Sequence, residues 1–373
     1  MNQPKTILFV TGTRADYGKL EPLAIPARKA GFTVSFFVTG MHLLPYYGLT
    51  KVEVHRLADI SVVEFLNQRK GDPQDTIFAK TVVGFSDYLQ VAPKDLVVVH
   101  GDRVEAMAAA FVCATNYVRC AHIEGGEVSG TIDEVFRHCN TKLATCHLVS
   151  SEKAKLRVAS MGESEENIYV IGSPELDTHS RPSGVSFKEV QDRYDIPFDD
   201  YGIVIFHPVT SEVGRLKEQA AILFETLLDS GRNFVVIKPN NDPGSEEIVE
   251  VVDRLQDRCF RILPSLRFGH FSELLKNASV LIGNSSTGIR EAPFIGLPSL
   301  DLGTRQRNRG AAESVSHHSE FVKAQIRDFL KAEWGKKYPT VMEFGSGSAS
   351  DNFIKILQSE DFWISPLQKY FSE

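Results

Sequence analysis

The chain has 373 residues, of which 42% are hydrophobic and 24% are charged, and its formal net charge is −7 at pH 7. This length predicts two domains, each large enough to bury its own core. The negative net charge argues against a nucleic-acid-binding protein, and no apolar run approaches the length of a membrane-spanning helix. The first residues enter a predicted strand without a signal-peptide core, so we expect a soluble cytoplasmic protein without nucleic-acid or membrane partners.

Strand-like and helix-like segments alternate along the chain. The predicted strands of the first half are 6–11, 33–38, 95–99, 119–123, 146–149 and 168–171. Those of the second half are 202–206, 233–237, 279–282 and 299–302, with amphipathic helices near 214–229 and 271–276. Such alternation is typical of an α/β fold whose parallel sheets are covered by helices on both faces.

A segment rich in turn-forming residues, from about 172 to 200, separates the two series. We place the domain boundary there. The predicted organisation is an N-terminal Rossmann-like domain over 1–175 and a C-terminal Rossmann-like domain over 176–350. A final helix within 351–373 is expected to pack back on the first domain.

The first candidate site follows the strand at 6–11. The segment Gly12-Thr13-Arg14-Ala15-Asp16 leads into a helix predicted to begin near Lys19. A glycine turn before a helix lets backbone N–H groups approach an anion, and Arg14 would add a guanidinium. The alternative is an ordinary turn with a surface arginine. The chain has no GxGxxG at this place and no Walker sequence, so NAD binding and P-loop hydrolysis both lose support.

A second strand end carries His100-Gly101-Asp102-Arg103, which places a base and an acid where ligands of parallel sheets collect. The alternative is that Asp102 caps the helix predicted over 104–114.

Two more carboxylates surround the glycine-rich turn that follows the strand at 119–123. Glu124 comes directly after the strand, and Asp133 opens the next helix. Three-and-four spacing predicts an apolar face on that helix, made by Ile132, Val135, Phe136, Cys139 and Leu143. Asp133 and Arg137 would then lie together on the opposite face.

Polar residues also end strands of the second half. His207 follows one strand, and Ser285 and Ser286 follow another at a predicted helix start, where their amides could hold phosphate oxygens. Glu291, further along, could accept from ribose hydroxyls, although an ordinary capped helix is the alternative. The run 305–309 contains three arginines, which either form a solvated charge cluster or lie beside the same diphosphate.

In chain order, these segments resemble the hydrolysing UDP-N-acetylglucosamine 2-epimerases of sialic acid synthesis, within the wider family of sugar-nucleotide 2-epimerases. The segments that carry the resemblance are 11–16, 39–42, 100–103, 122–133, 207–210, 239–242, 283–286 and 303–306. The resemblance implies a GT-B-like architecture, in which two Rossmann-like domains face each other across a cleft, and it implies no metal or redox cofactor. The run from Gly125 to Gly130 replaces a proline-bearing segment of nonhydrolysing relatives, which indicates the hydrolysing branch.

The resemblance also implies roles for individual residues. Asp102, Glu124 and Asp133 match the catalytic carboxylates, and His207 matches a histidine associated with the diphosphate and with catalysis. The positions at or near the nucleotide are Arg14, Arg103, Asn240, Ser285, Ser286, Glu291 and Arg307. We add Arg137, one helical turn beyond Asp133, to the binding residues.

The expected reaction converts a nucleotide-sugar substrate, UDP-N-acetylglucosamine, and water to N-acetylmannosamine and UDP. The alternatives are a hydrolysing 2-epimerase for UDP- or GDP-N,N′-diacetylbacillosamine on the path to legionaminic acid, a GT-B glycosyltransferase, and a catalytically silent sugar-nucleotide sensor. The set of three carboxylates and a histidine argues against the sensor, since a pure binder has no evident use for it. The family resemblance suggests a homodimer or a homotetramer.

Overall fold

The computed structural model describes residues 4–129, 133–239, 244–255, 258–307, 309–310 and 312–372. Contacts within the chain divide it into two compact units. Unit 1 comprises Met1–Glu127, Ile132–Ser180 and Phe344–Glu373, and unit 2 comprises Val128–Thr131 and Arg181–Glu343. Each unit is built around its own sheet.

Unit 1 contains seven strands among its described residues, and all of their pairings are parallel. The strands are β1 Thr6–Thr11, β2 Thr33–Val38, β3 Ser61–Glu64, β4 Leu96–His100, β5 Cys120–Ile123, β6 Cys146–Val149 and β7 Ile168–Val170. Their order across the sheet is β3-β2-β1-β4-β5-β6-β7. The helices of unit 1 are α1 Arg14–Lys29, α2 Lys51–Val54, α3 Gln74–Val91, α4 Val104–Thr115, α5 Asp133–Leu143, α6 Glu152–Ser160 and α7 Leu176–Ser180, followed near the end of the chain by α14 Ala349–Gln358 and α15 Glu360–Ile364.

Helices cover both faces of this sheet. Ile7 and Phe9 of β1 belong to one buried apolar cluster, and Leu8 and Val10 belong to another, because successive side chains of a strand point to opposite faces. Phe353 of α14 joins the first cluster, and α14 packs against α1 on that face.

Unit 2 repeats this design with six parallel strands among its described residues. The strands are β8 Gly202–Ile205, β9 Phe234–Ile237, β10 Phe260–Leu263, β11 Val280–Gly283, β12 Ser299–Leu302 and β13 Val315–His318, in the order β10-β9-β8-β11-β12-β13. The helices are α8 Phe187–Tyr194, α9 Leu216–Asp229, α10 Ser245–Asp253, α11 Phe268–Asn277, α12 Glu291–Phe294 and α13 Lys323–Glu333.

The predicted α/β class with parallel sheets is confirmed, and each predicted strand is present with ends that differ by at most one residue. Three strands that the sequence did not indicate, β3, β10 and β13, all lie at the edges of the sheets. In β3 and β13 no residue is fully buried, so these strands lack the continuous apolar run of a central strand.

The first helix begins earlier than predicted, at Arg14 instead of near Lys19. Thr13 is the N-cap: its side chain accepts from the backbone N–H of Asp16, and the Asp16 carboxylate accepts from the N–H of Thr13. This reciprocal capping box stabilises a helix start that the apolar pattern alone does not reveal. Within the described ranges, no helix is both long enough and apolar enough to cross a membrane.

Candidate active site

The carboxyl ends of β1, β4 and β5 lie side by side in the sheet of unit 1. They bring together Asp16, His100 and Glu124, whose exposed fractions are 9%, 8% and 4%. The His100 ring lies between the two carboxylates: Nδ1 is 3.5 Å from Asp16 Oδ1, and Nε2 is 3.4 Å from Glu124 Oε2. Neither ring nitrogen has hydrogen-bond geometry, so the contact is mainly electrostatic.

The carboxylates determine the charge of this histidine. Burial lowers the pKa of His100, but the charge of Glu124 and the contact with Asp16 outweigh it and raise that pKa to about 8. Burial acts on Asp16 in the opposite direction, yet the contact with His100 and its charge hold the pKa of Asp16 below its usual value. At neutral pH the site therefore contains an imidazolium between two carboxylates.

Lys19 of α1 adds a second cation to the cluster. Its Nζ lies 2.5 Å from Glu124 Oε1 and 3.4 Å from Glu175 Oε1. The backbone of Glu124 has a φ of +66°, in the left-handed region that non-glycine residues rarely adopt. Strained backbone of this kind persists where the surroundings over-determine it and clusters at functional sites.

Helix α5 faces these strand ends with polar side chains. Arg137 forms an ion pair with Asp102, and its Nη1 donates to the carbonyl of Glu127 at 3.3 Å. Asn140 Nδ2 donates to the carbonyl of Gly101 at 2.9 Å, and Thr141 Oγ1 lies 3.1 Å from His122 Nδ1. The helix thus fixes the turn at the end of β4 through hydrogen bonds and an ion pair.

This arrangement corrects two predictions. The fully buried residues of α5 are Arg137, Asn140 and Thr141, whereas Val135, placed on the predicted apolar face, is 52% exposed. The reason is that the fully buried side of α5 lies on strand-end turns whose buried polar groups need partners, while the partly buried Leu143 makes the apolar contact with the cluster that includes α4. The suggestion that Asp102 caps the next helix is also wrong, because the N-cap of α4 is Arg103 and Asp102 pairs with Arg137.

The glycine-rich turn after Glu124 is packed too closely for side chains. Gly126 has a φ of +76°, and a Cβ there would lie 2.3 Å from the carbonyl oxygen of Ala154. Arg157 Nη1 donates to the carbonyl of Gly126 at 3.1 Å, and Ser150 Oγ donates to the buried carboxylate of Glu127. The turn is therefore fixed by α6 as well as by α5.

In unit 2 the corresponding strand ends, those of β8 and β11, are joined through Asn284. Its Oδ1 accepts from the backbone N–H of His207 at 2.7 Å, and its Nδ2 donates to the carbonyl of His207 at 2.8 Å. The carbonyl of Asn284 accepts from Gln306 Nε2 at 2.9 Å and from Arg305 Nη1 at 3.2 Å. Ser285 caps the short helical turn Ser286–Gly288, as its side chain accepts from the N–H of Thr287.

The protein-family model for UDP-N-acetylglucosamine 2-epimerases matches residues 25–358 of this chain. The chain belongs to the UDP-N-acetylglucosamine 2-epimerase family. A relative from Neisseria meningitidis serogroup B, named UDP-N-acetylglucosamine 2-epimerase, is 40% identical over 372 residues, which are 98% of each chain. A relative from Legionella pneumophila, named UDP-N,N′-diacetylbacillosamine 2-epimerase (hydrolyzing), is 32% identical over 95% of this chain and 96% of its own.

Solved structures of the family show the same fold. A UDP-GlcNAc 2-epimerase from Neisseria meningitidis bound to UDP-GlcNAc superposes with a TM-score of 0.78 at 18% identity, over 94% of this chain and 99% of the other. The predicted GT-B-like class is thereby confirmed as a fold.

The remaining residues predicted from the family resemblance are spread over both units. Asp133 is the first residue of α5, and Glu291, which is 6% exposed, is the first residue of α12. Arg14 forms an ion pair of 2.9 Å with Glu53, and Arg307 is exposed.

Arg103 lies near a further buried carboxylate. Its Nε is 3.6 Å from Glu105 Oε2, and Glu105 is 2% exposed. Ser286 is partly buried beside Ser285, and Asn240 lies outside the described residues. Within the described part of the chain, no three or more His, Cys, Asp or Glu residues are grouped so as to hold a metal ion.

The predicted set omits several residues that the geometry places in the sites. These residues are Asp16, His100 and Asn284, which lie in the motif segments, and Lys19, which lies three residues beyond the first of them. Their partners are far away along the chain, as in the pair of Lys19 and Glu124, which are 105 residues apart. One usable signal was the position of His100 at the end of an apolar strand. The partner of each residue, however, depends on the strand order.

Proposed function

We propose that this protein is a hydrolysing 2-epimerase that converts UDP-N-acetylglucosamine and water to N-acetylmannosamine and UDP, the first step of sialic acid synthesis. The observation that carries the proposal is the buried acid–base cluster of Asp16, His100 and Glu124, joined by the partly buried Lys19, beside the pair of Asp102 and Arg137. The name of the Neisseria relative supports the substrate, and the name of the Legionella relative supports hydrolysis.

The chemistry requires both acids and bases. The C2 proton of the sugar lies beside an acetal carbon and is not acidic enough for simple removal and return. Elimination avoids this difficulty: a base takes the C2 proton, the C1–O bond to UDP breaks with its electron pair, and a C1=C2 double bond forms. Water then adds its oxygen to C1 of this 2-acetamidoglucal and loses one proton to a carboxylate. Another proton reaches C2 from the face opposite to the one that the first proton left, which gives the manno configuration.

In the proposed mechanism, Asp102 or Asp133 removes the C2 proton. Arg137 orients the Asp102 carboxylate through their ion pair, and positioned bases of this kind contribute about 10²–10⁴-fold to rate. Arg14, His207 and the amides at Ser285 and Ser286 would stabilise the negative charge that develops on the departing UDP.

Glu124 and the remaining carboxylate then divide the two proton transfers of the hydration step, in which water loses one proton and C2 receives one. Glu124 lies next to His100, whose raised pKa keeps the imidazole protonated at neutral pH. Because Glu124 is ionised in the resting site, the neighbouring imidazolium first passes its proton to Glu124, which delivers it to C2, and His100 then takes up a new proton from solvent. Lys19 holds the other oxygen of Glu124 and so fixes which oxygen faces His100.

Proton NMR in D₂O with UDP-N-acetylglucosamine, without added metal or acceptor, tests the reaction. We expect UDP and N-acetylmannosamine that carries deuterium at C2. Asp102→Asn and Glu124→Gln should each lose turnover by about 10²-fold or more and keep their affinity for UDP by calorimetry. The matched control is Asp229→Asn, whose carboxylate forms an exposed ion pair with Arg327 and should retain full turnover. Release of N-acetylglucosamine instead of N-acetylmannosamine would refute the epimerase mechanism.

The diacetylbacillosamine nucleotide is the second candidate substrate, because the Legionella relative is 32% identical over almost the whole chain. The two substrates differ at C4 and C6, away from the reacting C1 and C2, so the same acid–base cluster would serve either. Comparison of kcat/KM for the two UDP-sugars decides between them. A higher value for the bacillosamine nucleotide would replace the proposed substrate and leave the elimination chemistry intact.

A further inference from the structure

The residues after α15, Ser365–Ser372, follow a defined path along unit 1, and we call them the C-terminal segment. At its start, Arg119 Nη2 donates to the carbonyls of Trp363 and Ser365 at 3.0 and 2.8 Å. At its other end, the backbone N–H of Ser372 donates to the carbonyl of Gly162 at 3.0 Å. The ring of Phe371 covers Gly162 so closely that a Cβ there would lie 2.3 Å from it.

Between these two anchors, Lys369 reaches the C-terminal end of α5. Its Nζ donates to the carbonyls of Thr141, Lys142 and Ala144 at 3.1, 2.9 and 2.6 Å. The last carbonyls of a helix lack intrahelical partners and carry the negative end of its dipole. The same Nζ lies 2.5 Å from the buried carboxylate of Glu163, which holds the ammonium in place.

The position of α5 matters because its contacts with the active site are polar. Arg137 holds Asp102, and Asn140 holds the carbonyl of Gly101. Hydrogen bonds weaken steeply when their distance and angle change, whereas apolar contacts tolerate small shifts. The fully buried side chains of α5 are polar, and its apolar contact comes from the partly buried Leu143, which packs against the cluster that includes α4. The ammonium at its C-terminal end supplies a further fixed point.

We propose that Lys369 is a positioning residue for the catalytic carboxylates. Its ammonium fixes the last turn of α5, and α5 in turn orients Asp102 through Arg137. Loss of Lys369 therefore lowers turnover and leaves the affinity for UDP unchanged. The groups proposed for UDP include Ser285 and Ser286 of unit 2 and Arg14 of α1, whose ion-pair partner is Glu53. Only the kinetic part of this inference rests on the proposed function.

The test compares Lys369→Met, which keeps the length of the side chain but removes its charge, with Lys369→Arg, which restores the charge and donors. Lys80→Met is the matched control, since Lys80 forms a 2.7 Å ion pair with Asp72 elsewhere in unit 1. We expect Lys369→Met to lower kcat for UDP release about tenfold, which corresponds to about 1.4 kcal/mol, with KM changed less than about twofold. Lys369→Arg should recover most of the loss.

Amide hydrogen exchange provides the readout that does not depend on activity. In Lys369→Met, exchange should become about tenfold faster in α5 and in the turn at Gly101, and should stay unchanged in the β-sheet of unit 1 and in unit 2. Faster exchange throughout unit 1, or equal losses for Lys80→Met, would reduce Lys369 to a general stabilising contact and overturn the proposal. Unchanged kcat would overturn it as well.

Failure of the proposed function and misfolding of the variant can each be distinguished from failure of the proposal for Lys369. If the wild-type protein does not turn over the UDP-sugar, the proposed function fails, and the exchange pattern still decides the role of Lys369. If Lys369→Met does not accumulate as a folded protein, Lys369→Gln takes its place, since the amide keeps one donor group without the charge. The same local pattern of exchange is then required.

Discussion

His100 makes the stability of unit 1 depend on pH in a direction that can be tested. Its pKa rises from 6.5 to about 8 on folding, because two carboxylates face its ring. A group whose pKa is raised by folding stabilises the folded protein fully when the pH is below the pKa of the group in the unfolded chain. This stabilisation is lost as the pH rises through the pKa of the group in the folded protein. The rise corresponds to about 2 kcal/mol below pH 6.5, about 1 kcal/mol at pH 7, and almost nothing above pH 9.

The perturbation is His100→Gln, which keeps a polar side chain but cannot take a charge. We expect the substitution to lower the free energy of unfolding at both pH values. This loss should be larger at pH 6 than at pH 9 by about 2 kcal/mol. Urea unfolding followed by tryptophan fluorescence measures this difference. The chain has two tryptophans, Trp334 in unit 2 and Trp363 in unit 1, so Trp334 is replaced by phenylalanine in both proteins and the signal then reports on unit 1 alone. His55→Gln is the control, since His55 is exposed and pairs with Glu64 at the surface.

A difference in stability that stays constant between pH 6 and pH 9 would refute the assignment of an imidazolium between the two carboxylates. The same charge state predicts that kcat/KM of wild type falls as pH rises through about 8, and that this alkaline limb is absent from whatever activity His100→Gln retains.

Three further changes test other parts of the two sites. Arg137→Met removes the ion-pair partner of Asp102, so we expect kcat to fall about 10²-fold with unchanged UDP affinity. Partial recovery in Arg137→Lys would support a role of the charge. Normal turnover in Arg137→Met would contradict the proposed role of Arg137. Gly126→Ala places a Cβ 2.3 Å from the carbonyl of Ala154 at a φ of +76°, and urea unfolding should show a loss of about 2–4 kcal/mol; a loss below about 0.5 kcal/mol would mean that the turn relaxes freely. Asn284→Ala removes the side-chain amide that hydrogen-bonds to the backbone N–H and carbonyl of His207. Calorimetry should therefore show an affinity for UDP that is reduced at least about tenfold. Unchanged affinity would remove His207 from the proposed diphosphate site.

The central strands of both sheets could be predicted from the sequence because both of their faces are buried. β4, for example, is buried along its whole length and appears as the apolar run from Leu96 to Val99. The edge strands could not be predicted in this way, since β13 consists of Val315, Ser316, His317 and His318, none of which is fully buried.

The site was predictable to a similar degree. Asp102 and Glu124 follow apolar strands, and the ends of parallel strands are where ligand-binding residues collect. What surrounds them depends on long-range contacts: Arg137 reaches Asp102 because α5 crosses the strand ends, and Lys19 reaches Glu124 because β1 lies two strands from β5. In α5 the fully buried residues are polar and Val135 is exposed, so apolar spacing alone did not identify the side of this helix that faces the strand ends.

The order of the units along the chain has a consequence for biosynthesis. Unit 2 is inserted between Ser180 and Phe344 of unit 1, so α14 leaves the ribosome only after the residues Arg181–Glu343 have been translated. At about 5–20 residues per second, this interval lasts roughly 10–30 s. Throughout it, the face of α1 that α14 later covers is open to solvent in the nascent chain, without Phe353 in its cluster. Unit 1 is thus an incomplete domain while unit 2 folds, and chaperone dependence of the nascent protein should centre on that face of α1.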